Sequence, residues 1–390
     1  MSLVVHGTNI FLVIILSQKL FNNKTLSHLS GLLFGISAIN VGVIYYGAGG
    51  IETSIVTLFI LLSVIFFEKF LFLSLLAFVL ALMSHEIGTV TPVFILGLIY
   101  IKVGAKNLLK TAIKQLWPFG IILLTDLYLD FVQIGLKQTQ VQYKLIFSIP
   151  QVANTIMWYF GWALGLPEML VDFVFPGFKL NPTLMKYWGS FFTIIFPAFF
   201  VLLSVLLFNL VTNKKLFFNK KTLILGVWFV IAIVPVALLP QHKFVHYLAP
   251  AMVGASILIS YLIINSKKFV SIIFLSAFLI LNISSIKLAE KTYWAINRGK
   301  IADKLLQDIK TQYPILPQGA AVFIKDDPKF PYISEDWGGT SKQAKFILND
   351  QDAIQLLYRD FNLKTYYENN SEVPTDLLQE NIFSIVAKLN

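Results

Sequence analysis

The chain has 390 residues, 56% hydrophobic and 13% charged, with a mean hydropathy of +0.72. A soluble globular domain carries about 25% charged residues, so this much apolar surface cannot be buried in one soluble core, and the composition specifies a polytopic α-helical membrane protein. The absence of cysteine excludes disulfides, thiolate metal sites and cysteine nucleophiles, and the formal charge of +10 is read as loop lysines that set orientation, with no nucleic-acid partner.

Apolar runs long enough to span a bilayer fall at about 4–20, 29–46, 51–67, 70–84, 87–101, 117–136, 187–209, 222–239, 247–264 and 269–286. Residues 70–101 exceed one span and break at Ser84–Gly88. The aromatic stretch "MWYFGWALGLPEML", interrupted by Pro167 and Pro176, suits an interfacial or re-entrant helix. About ten spans are therefore expected in residues 1–286. Alternate loops then fall on alternate sides, with thirteen lysines on one side (19, 24, 69, 102, 106, 110, 114, 214, 215, 220, 221, 267 and 268) and five on the other (137, 144, 179, 186 and 243). The lysine-rich side is expected to be cytoplasmic. Lys102, Lys106, Lys110 and Lys114 recur every four residues and are expected to form one face of a surface helix touching anionic membrane lipid.

Composition changes near Lys287. Residues 1–286 hold seven acids and all five histidines, whereas 287–390 hold fourteen acids and both arginines. A small soluble α/β domain over 287–390 is expected on the extracytoplasmic side of the plasma (inner) membrane. Its expected helices are "AINRGKIADKLLQDIKTQ" and "QDAIQLLYRDF", and its strands are "AAVFIKDD" and "LKTYYEN". "EDWGGT" reads as a turn, and the acid pairs Asp326–Asp327 and Glu335–Asp336 as solvated surface groups.

With this topology, most polar residues near the bilayer fall on the side opposite the lysines. His6 and Asn9 open the first span, and Tyr46, Gly49 and Glu52 occupy the next outer turn. His85 and Glu86 form the following one. Asp126 and Asp130 lie four residues apart in the sixth span, and His242, Lys243, His246 and Tyr247 follow Pro240. An ionisable group in hydrocarbon costs at least ~2.5–3.5 kcal/mol, so these residues are expected to line a shared extracytoplasmic cavity. Carboxylates there suit general-base chemistry, and Lys and His suit phosphate binding. The plainer alternatives are that His85 and Glu86 satisfy helix ends, and that Asp126 and Asp130 pair with lysine or cap backbone. His242 and His246 have i,i+4 metal-ligand spacing without a third ligand, so a divalent metal is compatible but not indicated.

These motifs, in this order, resemble the GT-C superfamily of membrane glycosyltransferases, in its protein-mannosyltransferase-like and tetratricopeptide-linked branch. "HGTN" is similar to the H-x-x-N that opens that family's second span, and "YYGAGGIET" to its second outer loop. "LMSHEIG" is similar to its L-S-K-E turn, with His85 in place of Lys and Glu86 retained. "MWYFGWALGLP" resembles its aromatic segment, and "KFVHYLAP" its K/R-x-x-R-Y-x-x-P stretch, with His246 in place of Arg. The resemblance covers roughly 1–290. It implies transfer of a sugar from a polyprenyl-phosphate carrier to a glycan, lipid or protein acceptor at the outer face. It also implies that Lys243 and His246 stabilise the departing phosphate, with Glu86 and His85 shaping the pocket and Glu52 in support.

The family's general base is an acid in the loop before its second span, and no acid precedes Glu52 here. The resemblance thus implies that this chain starts at the counterpart of the family's second span, just after that loop. Three expectations follow: an N-terminally truncated form, use of Glu52 or Glu86 as the base, or a non-catalytic scaffold that binds a partner. A transporter of lipid-linked cargo, with Asp126 and Asp130 relaying protons, is a further and weaker reading.

Overall fold

The computed structural model describes residues 1–47, 49–134, 144–175, 177, 179–329, 339–368 and 381–389. It divides into two compact units, Met1–Glu290 and Lys291–Asn390. Composition shifts at Lys287, but the last helix of the first unit continues to Thr292.

The first unit comprises α1 (Ser2–Phe21), α2 (Lys24–Ile36), α3 (Asn40–Tyr45), α4 (Gly49–Phe66), α5 (Leu71–Ser84), α6 (Thr91–Tyr128), α7 (Ile149–Leu164), α8 (Pro182–Thr212), α9 (Lys214–Phe217), α10 (Lys220–Ala237), α11 (Ala249–Asn265) and α12 (Lys268–Thr292). A short antiparallel hairpin, β1 (Val174–Phe175) and β2 (Lys179–Leu180), lies between α7 and α8. Among the described residues, seven helical stretches are long and apolar enough to cross a membrane, and Leu71–Ser84 is a shorter apolar helix. The protein is a helical, multi-pass membrane protein.

Asparagine side chains start several of these helices. The Asn23 carboxamide oxygen accepts the Leu26 amide at 3.0 Å, Asn181 accepts Thr183 at 3.0 Å, and Asn219 accepts Lys221 and Thr222 at 3.0 and 3.1 Å. Such caps satisfy amide donors that the first helical turn leaves without partners.

The structure departs from the expected spans in two places. The run 29–46 is not one helix but breaks between α2 and α3. Backbone groups freed in hydrocarbon must find partners inside the protein, and here asparagines supply them. Asn40 donates to the Phe34 and Gly35 carbonyls at 2.7 and 3.0 Å, and Asn282 of α12 accepts the Ala38 amide at 2.8 Å. The second departure is α6. It is two helical limbs that meet at a kink at Gly104, with φ 70° and ψ 176°, a conformation that a side chain would strain. Lys102 therefore belongs to the first limb and Lys106, Lys110 and Lys114 to the second, so the four do not share one straight helical face. From Leu129 to Ile134 the helix widens to i→i+5 turns.

Polar side chains and aromatic stacks join the helices, as expected where hydrocarbon solvent gives no hydrophobic drive. Asn9 donates to the Ser54 carbonyl at 2.9 Å, tying α1 to α4. Ser63 and Ser74 exchange hydroxyl-to-carbonyl bonds at 2.9 and 2.7 Å between α4 and α5. Phe94 and Trp228 stack at 3.9 Å, and the Trp228 indole donates to the Pro250 carbonyl at 2.9 Å. Asn282 also donates to the Leu164 and Phe278 carbonyls at 3.3 and 2.8 Å, while Ser285 donates to Gly165 at 2.6 Å, closing the C-terminus of α7.

The second unit contains α13 (Trp294–Gln312), β3 (Ala321–Lys325), α14 (Thr340–Ile347), α15 (Asp352–Tyr358), β4 (Lys364–Tyr367) and β5 (Ile382–Val386). Its three strands are parallel in the order β4-β3-β5. Val322, Ile324, Leu305, Ile309, Leu348 and Ile354 fill the core. The structure corrects one expectation here: Asp326 and Asp327 are not merely solvated. Asp326 accepts the Ser341 amide at the start of α14 at 2.7 Å, its own amide is held by Glu368 at 2.7 Å, and Asp327 is buried. Glu335 and Asp336 lie outside the described residues.

Replacing Asn282 with leucine strands the buried Ala38 amide and the Leu164 carbonyl, at about 1–3 kcal/mol for each group left without a partner. Thermal unfolding of the detergent-solubilised protein is expected to drop by several degrees for Asn282→Leu. It should stay at the wild-type value for Asn265→Ala, whose side chain bonds only within its own exposed helix end.

Candidate functional site

Two interruptions of the helices supply most of the side chains of one cluster. The first follows α5. His85 is fully extended, with φ −171° and ψ 147°, and opens a tight helical turn over Glu86–Val90. Its Nδ1 accepts the Ile87 amide at 3.2 Å and also lies 3.2 Å from a Glu86 carboxylate oxygen. One nitrogen cannot serve both at once. A neutral ring accepts the amide, and a protonated ring donates to Glu86. The helix-end role is therefore real for His85. Glu86 is left with its side chain 61% exposed, open to reactants.

The second interruption joins α10 to α11. Phe244 is extended and a tight turn follows over Val245–Leu248. This buries His246, whose ring lies 5.3 Å from Tyr46, 5.4 Å from Phe244 and 4.4 Å from Tyr247. Tyr247 is the hub, 5.5 Å from His85 and 5.9 Å from His242. The approach of α3 to this turn depends on Gly42, where a Cβ would come within 2.8 Å of Val245 and 3.1 Å of the His246 nitrogen. The Nδ1 of His246 is buried and has no hydrogen-bond partner among the described residues.

Electrostatics link these pieces. Burial lowers the His85 pKa, and Glu86 and Glu52 oppose that shift. Burial likewise lowers His242, against the pull of Glu86, and it lowers Lys243. Glu52, His85, Glu86, His242, His246 and Tyr247 thus share one electrostatic neighbourhood, with Lys243 in the same loop as His242.

Other sequence candidates are placed elsewhere. Asn9 spends its amide on α4, and His6 stacks on Phe34 at 5.5 Å, so both serve the packing of α1. Asp126 is half-buried and Asp130 exposed. No hydrogen bond, ion pair or ring contact joins either to the cluster among the described residues. The i,i+4 argument for His242 and His246 assumed a helix, and the extended Phe244 between them removes it. Among the described residues no group of three or more His, Asp or Glu side chains is placed to hold a metal ion.

One residue of the cluster was missed by sequence reasoning. Glu168 follows α7 in the stretch "GLPEML", and its carboxylate faces the Val245 amide, one residue from His246. Its other oxygen, Oε2, is buried without a partner. Burial, reinforced by Asp172 and opposed by the Val245 amide, pushes its pKa up to about 8. An acid inside an aromatic, apolar run is the signal that marks it.

Comparison of the chain with family models, curated proteins and solved structures finds no match.

A carboxyl with a folded pKa raised above its unfolded value binds an extra proton in the native state. Stability is then lost as pH rises between the two values, by at most about 1.4 kcal/mol per pH unit. Glu168→Gln copies the protonated form. Melting of the two proteins is expected to coincide near pH 5, with the variant unfolding at the higher temperature at pH 8.5. Parallel melting curves at both pH values would show that Glu168 ionises freely in the folded protein.

Proposed function

We propose that the protein is a membrane glycosyltransferase that moves a sugar from a polyprenyl-phosphate carrier to an acceptor hydroxyl at the extracytoplasmic face. The observation that carries this reading is the gathering of an exposed carboxylate, Glu86, with His85, His242, His246 and Tyr247 at one set of helix interruptions, beside Lys243. The sequence motifs that resemble the GT-C superfamily supply these residues apart from His242.

In this reading the bundle crosses the membrane ten times, through α1, the α2–α3 pair, α4, α5, the two limbs of α6, α8, α10, α11 and α12. The cluster and the second unit then face away from the cytoplasm, and the lysine-rich ends face it.

The chemistry follows from the side chains. The acceptor oxygen attacks the anomeric carbon as its proton passes to the Glu86 carboxylate, with Glu52 as the second candidate base. A new carbon–oxygen bond forms, and the bond from that carbon to the phosphate oxygen breaks. The electron pair leaves with the polyprenyl phosphate, and one displacement inverts the anomeric centre. Lys243 and His242 offer cationic donors to the departing phosphate, and His246 presents its buried Nδ1 to the same region. The Glu86–His85 contact orients the base, and a protonated His85 favours the ionised carboxylate that accepts the proton.

Membranes carrying the protein are to be incubated with labelled polyprenyl-phosphate hexoses, and label entering glycan, lipid or protein is to be counted. Loss of a general base typically costs about 10²–10⁴ in rate, so Glu86→Gln is expected to abolish most of the transfer, and Lys243→Ala to raise the KM for the donor. Undiminished labelling by both Glu86→Gln and Glu52→Gln would overturn the reading, as would wild-type membranes that transfer none of the hexoses.

A further inference from the structure

A second constellation lies at the lysine-rich end of the membrane unit, and the transferase chemistry does not use it. The sharp turn at Gly104 sets the two limbs of α6 apart. A cavity of about 390 Å³ opens between these limbs and the turn that joins α4 to α5. That volume is within the usual range of small-ligand sites, about 300–1,000 Å³. Glu68, Lys102, Thr111, Lys114 and Gln115 supply its polar lining, and the rest is apolar, with Trp117 at one side.

The charge in this cavity is unbalanced. Glu68 is held by Lys19 at 3.1 Å and by Lys102 at 3.5 Å. These two lysines outweigh the burial that would otherwise raise its pKa, and Glu68 stays below its ordinary value. Lys19 is further anchored by donating to the Ile65 carbonyl at 3.1 Å. Lys114 has no acidic partner among the described residues. Lys102 and Lys114 against Glu68 leave one positive charge in the lining of a largely apolar cavity, and Lys19, outside the lining, offsets Glu68 further.

The second limb of α6 also carries the marks of a membrane–water boundary. It exposes Leu109 at 74%, Ile113 at 65% and Trp117 at 61%, interleaved with Lys106, Lys110 and Lys114. Exposed leucine and isoleucine beside lysines place the start of this limb, before Pro118, at the headgroup layer from which the limb enters the membrane, and tryptophan prefers that depth. A soluble phosphate has no use for the apolar part of the lining, whereas a lipid fills it with its glycerol and upper acyl carbons.

We propose that this cavity is a binding site for the phosphate headgroup of an anionic phospholipid, held between Lys102 and Lys114. Lys102 and Lys114 make charge-assisted hydrogen bonds to the phosphate, while Thr111 and Gln115 contact its ester oxygens. Glu68 tunes the site by neutralising part of the lysine charge. The site does not depend on the transferase reading.

The test is native mass spectrometry of the full chain in detergent, titrated with phosphatidylglycerol and with phosphatidylcholine. Wild-type protein is expected to retain one phosphatidylglycerol in preference to phosphatidylcholine. Removing lysines near an anionic lipid should weaken retention by about fivefold for each one lost. Lys114→Gln and the double variant Lys102→Gln/Lys114→Gln should therefore lose the preference stepwise. Lys114→Arg keeps the charge and should keep the lipid, which separates charge from folding. Lys214→Gln/Lys215→Gln, outside the cavity at another lysine-bearing turn, should behave as wild type. Glu68→Gln removes the opposing charge and should tighten retention. Undiminished preference in the double variant, or an equal loss in Lys214→Gln/Lys215→Gln, would overturn the proposal. Displacement of the lipid by an equal concentration of glycerol phosphate would reassign the cavity to a soluble phosphate and overturn the lipid assignment.

Discussion

Inside hydrocarbon a backbone amide or carbonyl has no water to turn to, so every break in a helix must be repaired by the protein itself. This chain breaks its helices repeatedly, and side chains from both neighbouring and distant elements meet backbone groups at several of the breaks. Asn282 serves two breaks at once, through the Ala38 amide and the Leu164 carbonyl. Ser285 takes the Gly165 carbonyl, His85 caps the turn after α5, and Glu168 faces the Val245 amide. The candidate site grows out of this repair. Side chains brought in to satisfy backbone are polar, buried and held by several helices, and these are the conditions under which ionisable groups acquire unusual chemistry.

The same logic separates the two ends of the bundle. His85, Glu86, Glu168, His242 and His246 collect where helices are interrupted. Lysines collect where helices begin and end in the ordinary way, capped by Asn23 and Asn219. A lysine can extend its ammonium group beyond the apolar layer while its stem stays against the protein, so it needs no network. His85, Glu168 and His246 are shorter and need partners. At one end charge is managed by hydrogen bonding and ring packing around Tyr247. At the other it is managed by exposure, and among the described residues Glu68 is the carboxylate that pairs with those lysines.

Much of the helical framework was legible in the sequence, because apolar run length is a one-dimensional signal. So were the break at His85 and the loop after Pro240, since ionisable residues within apolar runs stand out. The break at residues 37–39 was not legible. Its warrant is Asn282, more than two hundred positions away, and no local pattern announces that contact. The turn at Gly104 was hidden for a different reason: one glycine with a positive φ interrupts a stretch that is helical on both sides. In the tail, α14 and β5 escaped notice because they are short and their burial is set by β3. Asp126 and Asp130 satisfied the spacing rule for a shared face but not the requirement of packing next to the other candidates. Spacing fixes neighbours along a helix, and only tertiary contacts decide which helices meet. Glu168 shows the converse case. It carries no motif, and its position follows from where the end of α7 meets the turn before α11.

The cluster also has a consistent electrostatic bias. Burial pulls His85, His242 and Lys243 toward their neutral forms and pushes Glu168 toward its own. These shifts have one physical cause, the cost of holding a charge away from water. An anionic group brought beside His242 and Lys243 reverses the balance, because an opposite charge within a few ångströms favours the protonated cations. Protonation of His85 then moves its Nδ1 from the Ile87 amide to Glu86, since the nitrogen can no longer accept. The backbone amide it releases belongs to the same turn that presents Glu86. At His85 itself, protonation and the contact with Glu86 are one event, because a single nitrogen serves both the Ile87 amide and the carboxylate.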